Sequence, residues 1–199
     1  MPVRARRETE IKLRISDLPA VLRRVRGLRA RCLGRVFESN TLFDTPDCDL
    51  RRRGCLIRVR IETPARSRLI SAGPLRAWVT FKAPVRHFGR SRYKERLESE
   101  CRIEPRRDWF ATLGSLGFRP GFRYEKFRTG FRLGPLHIDL DETPVGTFLE
   151  LEGPSAAIDR IARRLGFSSH DYIRGTYWDL YAAASRRRGK NPRNMLFRA

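Results

Sequence analysis

Charged and apolar side chains alternate along much of the chain. The alternation recurs in seven segments, which are residues 8–14, 56–61, 78–82, 96–103, 124–129, 136–141 and 148–152. Successive side chains of a strand point to opposite faces of a sheet, so each segment predicts a strand with one apolar face and one charged face. In the last segment the alternation is imperfect, because Phe148 and Leu149 are both apolar.

Helical periodicity is confined to three short segments. Residues 16–31, 105–116 and 155–165 each place apolar residues at helical spacing on one face. The second and third of these end in Leu-Gly-Phe, where Gly117 and Gly166 suit the C-terminus of a helix. Most of the remaining chain predicts strands separated by turn residues. The sequence therefore predicts an α+β fold with a dominant, mostly antiparallel sheet.

The charges on the predicted strands are sorted by strand. Acidic residues dominate at 8–10, 98–100, 139–141 and 150–152, whereas basic residues dominate at 58–60 and 126–128. One interpretation is a solvated sheet face on which opposite charges pair across strands. The other is a concave sheet or closed barrel whose lumen holds divalent cations on one wall and an anionic substrate on another. Carboxylates at this spacing can chelate a hard cation, and Arg or Lys at the same spacing can clamp phosphate oxygens.

Composition narrows the class of protein. The 199 residues include 43 Lys and Arg against 22 Asp and Glu, a net charge of +21, and only five of the basic residues are Lys. A hydrophobic fraction of 40% excludes a fully disordered chain. No apolar run approaches ~18 residues, so no membrane-spanning helix is expected. The four cysteines lack metal-site spacing and no signal segment is evident, so a cytoplasmic location is expected.

The chain is predicted to consist of one domain at residues 1–184 followed by a tail at residues 185–199. The tail is basic and lacks periodicity, which predicts disorder. Its charge also suggests a weak contact with nucleic acid, because Arg neutralises phosphate.

Several motifs resemble those of one family. Glu8-Thr-Glu10-Ile-Lys12 resembles the E-x-E-x-K signature of the CYTH superfamily, the triphosphate tunnel metalloenzymes. Further blocks follow in the family's order, so that the resemblance spans about residues 7–181. They are Phe43-Asp-Thr-Pro46, Leu56-Ile-Arg-Val-Arg60, Val79-Thr-Phe-Lys82, Arg96-Leu-Glu-Ser-Glu100, Lys126-Phe-Arg128, Ile138-Asp139, Gly146-Thr-Phe-Leu-Glu-Leu-Glu152 and Tyr177-Trp-Asp-Leu180.

The resemblance implies an eight-stranded antiparallel closed β-barrel, a triphosphate tunnel, with helices packed outside. It also implies that a triphosphate-bearing substrate binds in the tunnel with Mg²⁺ or Mn²⁺. It assigns catalysis to Glu8, Glu10 and Lys12. The implied metal-holding residues are Glu8, Glu10, Glu98, Glu100, Asp139, Glu150 and Glu152, and the implied phosphate-holding residues are Lys12, Arg58, Arg60, Lys82, Lys126 and Arg128.

Two reactions fit these residues. Phe81-Lys82-Ala83-Pro84 resembles the Y-K-G-P run of the family's class IV adenylate cyclases, which make cyclic AMP and pyrophosphate from ATP. The alternative is a triphosphatase that releases orthophosphate from inorganic triphosphate or thiamine triphosphate. The latter substrate needs an aromatic stacking site, which the sequence alone does not assign to Trp78, Trp109 or Trp178.

A third alternative is a non-catalytic protein that binds RNA or another polyanion. Seven lumen-facing carboxylates argue against it, because they would repel backbone phosphate. Members of the family are often dimers, so a homodimer is a further expectation.

Overall fold

The computed structural model describes residues 5–66, 69–71, 73–85, 91–105 and 108–197. The strands in these ranges are β1 (Arg6–Ile15), β2 (Arg31–Asp44), β3 (Leu56–Arg66), β4 (Leu69–Ile70), β5 (Arg76–Pro84), β6 (Lys94–Ile103), β7 (Arg119–Leu133), β8 (Leu136–Thr143) and β9 (Gly146–Glu152). The α-helices are α1 (Leu18–Gly27), α2 (Asp49–Arg52), α3 (Trp109–Ser115), α4 (Ser155–Arg164) and α5 (Tyr177–Arg187).

Eight of the strands form a closed antiparallel barrel. Their order is β2-β7-β8-β9-β1-β6-β5-β3, and β3 pairs with β2 to close the ring. The short strand β4 pairs with the end of β3 and lies outside the ring. This arrangement confirms the α+β class and the eight-stranded closed barrel expected from the sequence.

The hydrophobic core lies outside the barrel, beneath the helices. Outward-facing residues of the strands, including Ile11, Leu13, Ile138, Leu149 and Leu151, are at most 1% exposed. They pack against the buried apolar faces of α1 and α4 in one cluster. Burial of this apolar surface stabilises the fold. The lumen is thereby left free to carry the charged face of each strand.

Helix boundaries follow local chemistry. The helix predicted over residues 16–31 is shorter, because Arg29 takes a left-handed backbone conformation and β2 begins at Arg31. Asp17 caps α1 by accepting a hydrogen bond from the Ala20 amide. The glycines predicted to end α3 and α4 have φ of 86° and 89°, a conformation that glycine adopts at low cost. None of the described helices is long and apolar enough to cross a membrane.

The C-terminal segment differs from the predicted disordered tail. Helix α5 continues past Ser185, and the chain then returns to the barrel, where Met195 pairs with β7. The Met195 amide donates to the Arg123 carbonyl, and the Glu125 amide donates to the Met195 carbonyl, both at 2.9 Å. The expectation of disorder was therefore wrong through Phe197, while residues 198–199 lie outside the described residues.

The physical reason is an exposed edge that the sequence alone did not reveal. Strand β7 extends beyond the residues that β8 covers, and the C-terminal segment pairs with the part left over. Met195 is fully buried in a cluster with Tyr124, Phe148 and Tyr177. A single apolar anchor of this kind has no periodicity to detect.

Replacing this anchor should destabilise the whole barrel. We expect Met195→Ala to lower the free energy of unfolding by about 3 kcal/mol, because it empties a fully buried site. Urea denaturation checks this value. The control is Arg193→Ala, which removes an exposed side chain from the same segment and should change stability by less than about 0.5 kcal/mol. Equal stabilities of the two variants would show that the segment is not docked.

Candidate active site

The barrel encloses a cavity of about 500 Å³. The thirteen residues that the sequence analysis assigned to metal or phosphate all line it. Among the described residues its acidic lining is Glu8, Glu10, Glu38, Glu62, Glu98, Glu100, Asp139, Glu150 and Glu152, and its basic lining is Arg6, Lys12, Arg58, Arg60, Arg76, Lys82, Lys94, Lys126 and Arg128. These nine acidic and nine basic residues balance, although the whole chain carries +21.

Strand β1 contributes three charged side chains to the lumen. Glu8, Glu10 and Lys12 alternate with Thr9, Ile11 and Leu13 on the outer face, where Ile11 and Leu13 pack against the helices. Both carboxylate oxygens of Glu8 accept from Lys82 Nζ, at 2.6 and 2.7 Å. Glu10 pairs with Lys94. Lys12 donates to Glu150 across the β1–β9 ladder.

Neighbouring acids on β1 have opposite pKa shifts. Burial and the nearby carboxylates of Glu10 and Glu98 raise the pKa of Glu8, despite its contact with Lys82. Burial also acts on Glu10, but the charge of Lys94 and other lysines outweighs it and lowers the pKa of Glu10 to about 2. Glu10 is therefore a stable counter-ion, whereas Glu8 belongs to a group with an excess of negative charge.

That acidic group consists of Glu8, Glu98 and Glu152, with two basic residues between them. Arg6 Nη2 lies 2.9 Å from Glu98 and 3.5 Å from Glu152. Lys82 Nζ contacts Glu8 and also lies 3.2 Å from Glu98. Because of burial, and then repulsion from Glu8, the pKa of Glu152 rises to about 7. The side chain of Arg6 is 60% exposed, which places it where the group meets solvent.

Two basic side chains, Lys126 and Arg128, extend from β7 into the lumen. Lys126 donates to Asp141 at 2.8 Å, and Arg128 makes two hydrogen bonds to the same carboxylate at 2.6 and 2.7 Å. Arg128 also lies 2.8 Å from Asp139 and pairs with Glu150. Asp141 is fully buried and accepts in addition from the Tyr177 hydroxyl at 2.6 Å, so it anchors the cations from behind.

A second pair of cations lies on β3. Arg60 Nη2 is 3.2 Å from Glu100, and Arg58 Nη2 is 3.5 Å from the same oxygen. Thr80 holds Glu100 with a hydrogen bond of 2.7 Å. The hydroxyl of Tyr124 lies 3.3 Å from Arg58. The guanidinium groups are thus held in the lumen by Glu100 of β6 and, for Arg58, also by Tyr124 of β7, each two strands away from β3.

Sequence reasoning missed several lumen residues. Glu38 on β2 is fully buried among the β3 and β7 cations, together with Asn40. No alternation could reveal them, because residues 38–41 are polar without a break. Arg6 and Lys94 were also missed, and both extend strands whose centres were predicted correctly.

One part of the cavity is apolar and aromatic. Leu42, Leu56, Phe122 and Trp178 line it, and each is partly exposed. The ring of Trp178 meets that of Phe122 edge-on, with centroids 4.9 Å apart, and the guanidinium of Arg51 lies 5.6 Å from the Trp178 ring.

The other two tryptophans that the sequence left unassigned occupy different places. Trp78 lines the cavity, and its indole N–H is buried without a hydrogen-bond partner within the described part of the chain. Trp109 is the first residue of α3 and packs against the cluster of Phe43, Val59 and Leu113 outside the barrel. Of the three tryptophans, Trp78 and Trp178 therefore line the cavity, where a ligand could contact them.

Known proteins share the sequence and the fold of this chain. The CYTH domain family matches residues 6–177. The curated protein "Putative adenylate cyclase MJ0240" of Methanocaldococcus jannaschii is 25% identical over 87% of this chain and 97% of its own length.

Two solved structures share the fold. A "putative adenylate cyclase" from Vibrio parahaemolyticus superposes with a TM-score of 0.72 at 20% identity, over 89% of this chain and 98% of the other. HpAC1 from Hippeastrum, described as a "putative adenylyl cyclase" with a dominant triphosphatase activity, superposes with a TM-score of 0.54 at 18% identity, over 92% and 96% of the two chains. With a family match across most of its length and the closed charged barrel, this chain belongs to the CYTH domain family.

Proposed function

We propose that this protein is a divalent-metal-dependent enzyme that acts on the triphosphate of an organic substrate, with the conversion of ATP to cyclic AMP and pyrophosphate as its leading reaction. One observation carries the proposal. Six basic residues suited to phosphate oxygens and seven acidic residues suited to a hard cation line one tunnel. Transfer at phosphorus depends mainly on positioning and charge neutralisation, which such a tunnel supplies.

In this proposal the basic residues bind the triphosphate. Lys12, Arg58, Arg60, Lys82, Lys126 and Arg128 exchange part of their present carboxylate contacts for phosphate oxygens. Burial lowers the pKa of Lys12 and Lys126, but neighbouring carboxylates outweigh it, so their pKa values stay above the ordinary one. Both lysines are therefore charged at neutral pH. The closed wall of the barrel fixes the orientation of the bound chain and limits access of water.

The acidic residues fit a divalent cation by their chemistry. Among the described residues no three acidic, His or Cys side chains are arranged to hold a metal ion. Lys82 and Arg6 instead occupy the space between Glu8, Glu98 and Glu152. These three carboxylates would hold Mg²⁺ or Mn²⁺ once the two basic side chains turn to the substrate. The ion would supply charge neutralisation at the phosphate oxygens.

The attacking hydroxyl of ATP must lose a proton during cyclisation. Asp139 lines the cavity, and burial raises its pKa to about 6 against the opposing effect of Arg128. A carboxylate with a pKa near neutrality is well matched to accept that proton. In the cyclase mechanism we assign this role to Asp139.

The second candidate reaction is triphosphate hydrolysis. It is favoured by the dominant triphosphatase activity described for HpAC1, whose fold this chain shares. The same cations and carboxylates serve both reactions, since water or the substrate's own hydroxyl can be the nucleophile.

An organic substrate is favoured by the apolar part of the cavity. Leu42, Leu56, Phe122 and Trp178 offer no partner to a bare triphosphate, whereas they suit the flat ring of a nucleoside or of thiamine.

A product assay tests the proposed function. The protein is incubated with ATP, inorganic triphosphate or thiamine triphosphate, each with Mg²⁺ or Mn²⁺, and products are separated by chromatography. We expect cyclic AMP and pyrophosphate from ATP, with loss of product in EDTA and at least a hundredfold loss in the Glu8→Gln, Glu10→Gln double variant. Orthophosphate without cyclic AMP would favour hydrolysis instead. A turnover rate that is unchanged both in EDTA and in the double variant would reject the metal-dependent mechanism.

Trp178 should discriminate organic from inorganic triphosphates. We expect Trp178→Ala to weaken ATP binding about fivefold and to leave inorganic triphosphate binding unchanged, because only ATP has a ring to stack. Isothermal titration calorimetry measures both affinities. Trp109→Phe, which alters a ring outside the barrel, is the matched control. Equal losses for the two ligands would remove the apolar subsite from the proposal.

The raised pKa of Glu152 predicts a pH-dependent stability of the metal-free protein. An acid that holds its proton more tightly when folded contributes stability below its unfolded pKa of about 4.5, and this stability is lost as the pH rises through 7. Between pH 5 and pH 8 we therefore expect wild type to lose about 2 kcal/mol relative to Glu152→Gln. Guanidinium denaturation in EDTA measures the difference. Glu142→Gln, on the outward face of β8, should follow wild type, and parallel profiles for all three proteins would contradict the prediction.

A further inference from the structure

Glu38 has no place in either residue set assigned above. It lies on β2 in the middle of the cavity wall, with its side chain only 1% exposed. Its carboxylate faces three of the basic residues proposed to bind phosphate. Oε2 lies 3.5 Å from Lys126 Nζ, and Oε1 lies 3.5 Å from Arg128 Nε and 3.8 Å from Arg60 Nη1.

These contacts are electrostatic and not directional. Within the described residues Oε1 is buried and accepts no hydrogen bond. The hydrogen bond that Oε2 accepts there, from Asn40 Nδ2, is long at 3.5 Å. Asp141 is the residue that positions the same lysine and arginine, through hydrogen bonds of 2.6 to 2.8 Å. Glu38 therefore adds negative charge where geometry is already fixed by another acid.

The charge of Glu38 is permanent. Burial disfavours the ionised carboxylate, but Lys126, Arg128 and Arg60 outweigh burial and hold the pKa of Glu38 below its ordinary value. Strand pairing on both sides fixes the backbone at Glu38, and the surrounding wall encloses its side chain, so the carboxylate stays beside the three cations. A polyanion that binds these three cations must share them with Glu38 at close range.

We infer that Glu38 limits the affinity of Arg60, Lys126 and Arg128 for phosphate anions, so that an anionic product can leave the tunnel. Glu38 acts through the three cations and not on the substrate. This inference rests on the proposed function, since it concerns the same tunnel. It reverses the usual expectation for a buried binding-site residue, whose removal weakens binding.

The test is the affinity for inorganic triphosphate in EDTA, measured by isothermal titration calorimetry. We expect Glu38→Gln, which keeps the shape and removes the charge, to bind about tenfold more tightly than wild type. Glu38→Asp keeps the charge and should bind within twofold of wild type. Glu142→Gln makes the same change in net charge outside the lumen and should also match wild type. Circular dichroism and thermal unfolding establish that each variant is folded at the temperature of titration.

The outcomes separate the alternatives. A purely structural role would make Glu38→Gln bind more weakly, and that result, or an unchanged affinity, would overturn the inference. Absence of binding by wild type and by Glu38→Gln would overturn it as well, while the product assay judges the proposed function on its own. If the assay identifies a substrate, kcat and KM for Glu38→Gln should both fall, because tighter anion binding slows product release.

Discussion

The structure depends on the requirement that charges inside a closed barrel be paired. An ionised group taken out of water costs several kcal/mol unless an opposite charge and hydrogen bonds compensate it. Within the described part of the chain nine acidic and nine basic residues line the lumen, and most are joined in shared contacts instead of isolated pairs. Arg128, for example, contacts Glu38, Asp139 and Glu150, while Asp141 holds it from behind the lining. Because the lumen cations are already paired with carboxylates, an anionic ligand must replace some of those carboxylate contacts in order to bind.

This charged interior dictates the rest of the architecture. A barrel whose lumen is mainly charged must bury most of its apolar side chains on the outer surface, so α1 and α4 cover Ile11, Leu13 and Leu149. The C-terminal segment also packs against the barrel wall. Tyr177 donates to the buried Asp141 and packs in the cluster that contains Met195, so the C-terminal segment is continuous with the wall of the site.

Strand alternation predicted most of the strands and their charged faces, and the resemblance of the motifs to a known family predicted the closed barrel and the thirteen site residues. Seven strands were predicted from alternate charges, and the thirteen residues proposed from the family motifs line one cavity. The prediction failed where that pattern is absent. Glu38 and Asn40 lie in an unbroken polar run, and Arg6 and Lys94 lie at strand ends. The docking of Met195 depends on an edge of β7 that only the three-dimensional pairing creates. Ligand specificity is also beyond the pattern, since Trp78, Trp109 and Trp178 differ only in where the fold puts them.

The balance inside the tunnel has a consequence for the outer surface. The lining residues that the structure describes contribute little to the net charge of +21, so that excess is carried by the rest of the chain, which includes many exposed arginines among the described residues. Such a surface produces a long-range field that accelerates the diffusion of anions toward the molecule, and dissolved salt screens this field beyond about 10 Å. Arrival and retention of an anionic ligand are thus governed by different sets of charges. Ionic strength should act chiefly on the rate of encounter, while the buried pairs, sheltered from counter-ions, set how long the ligand stays.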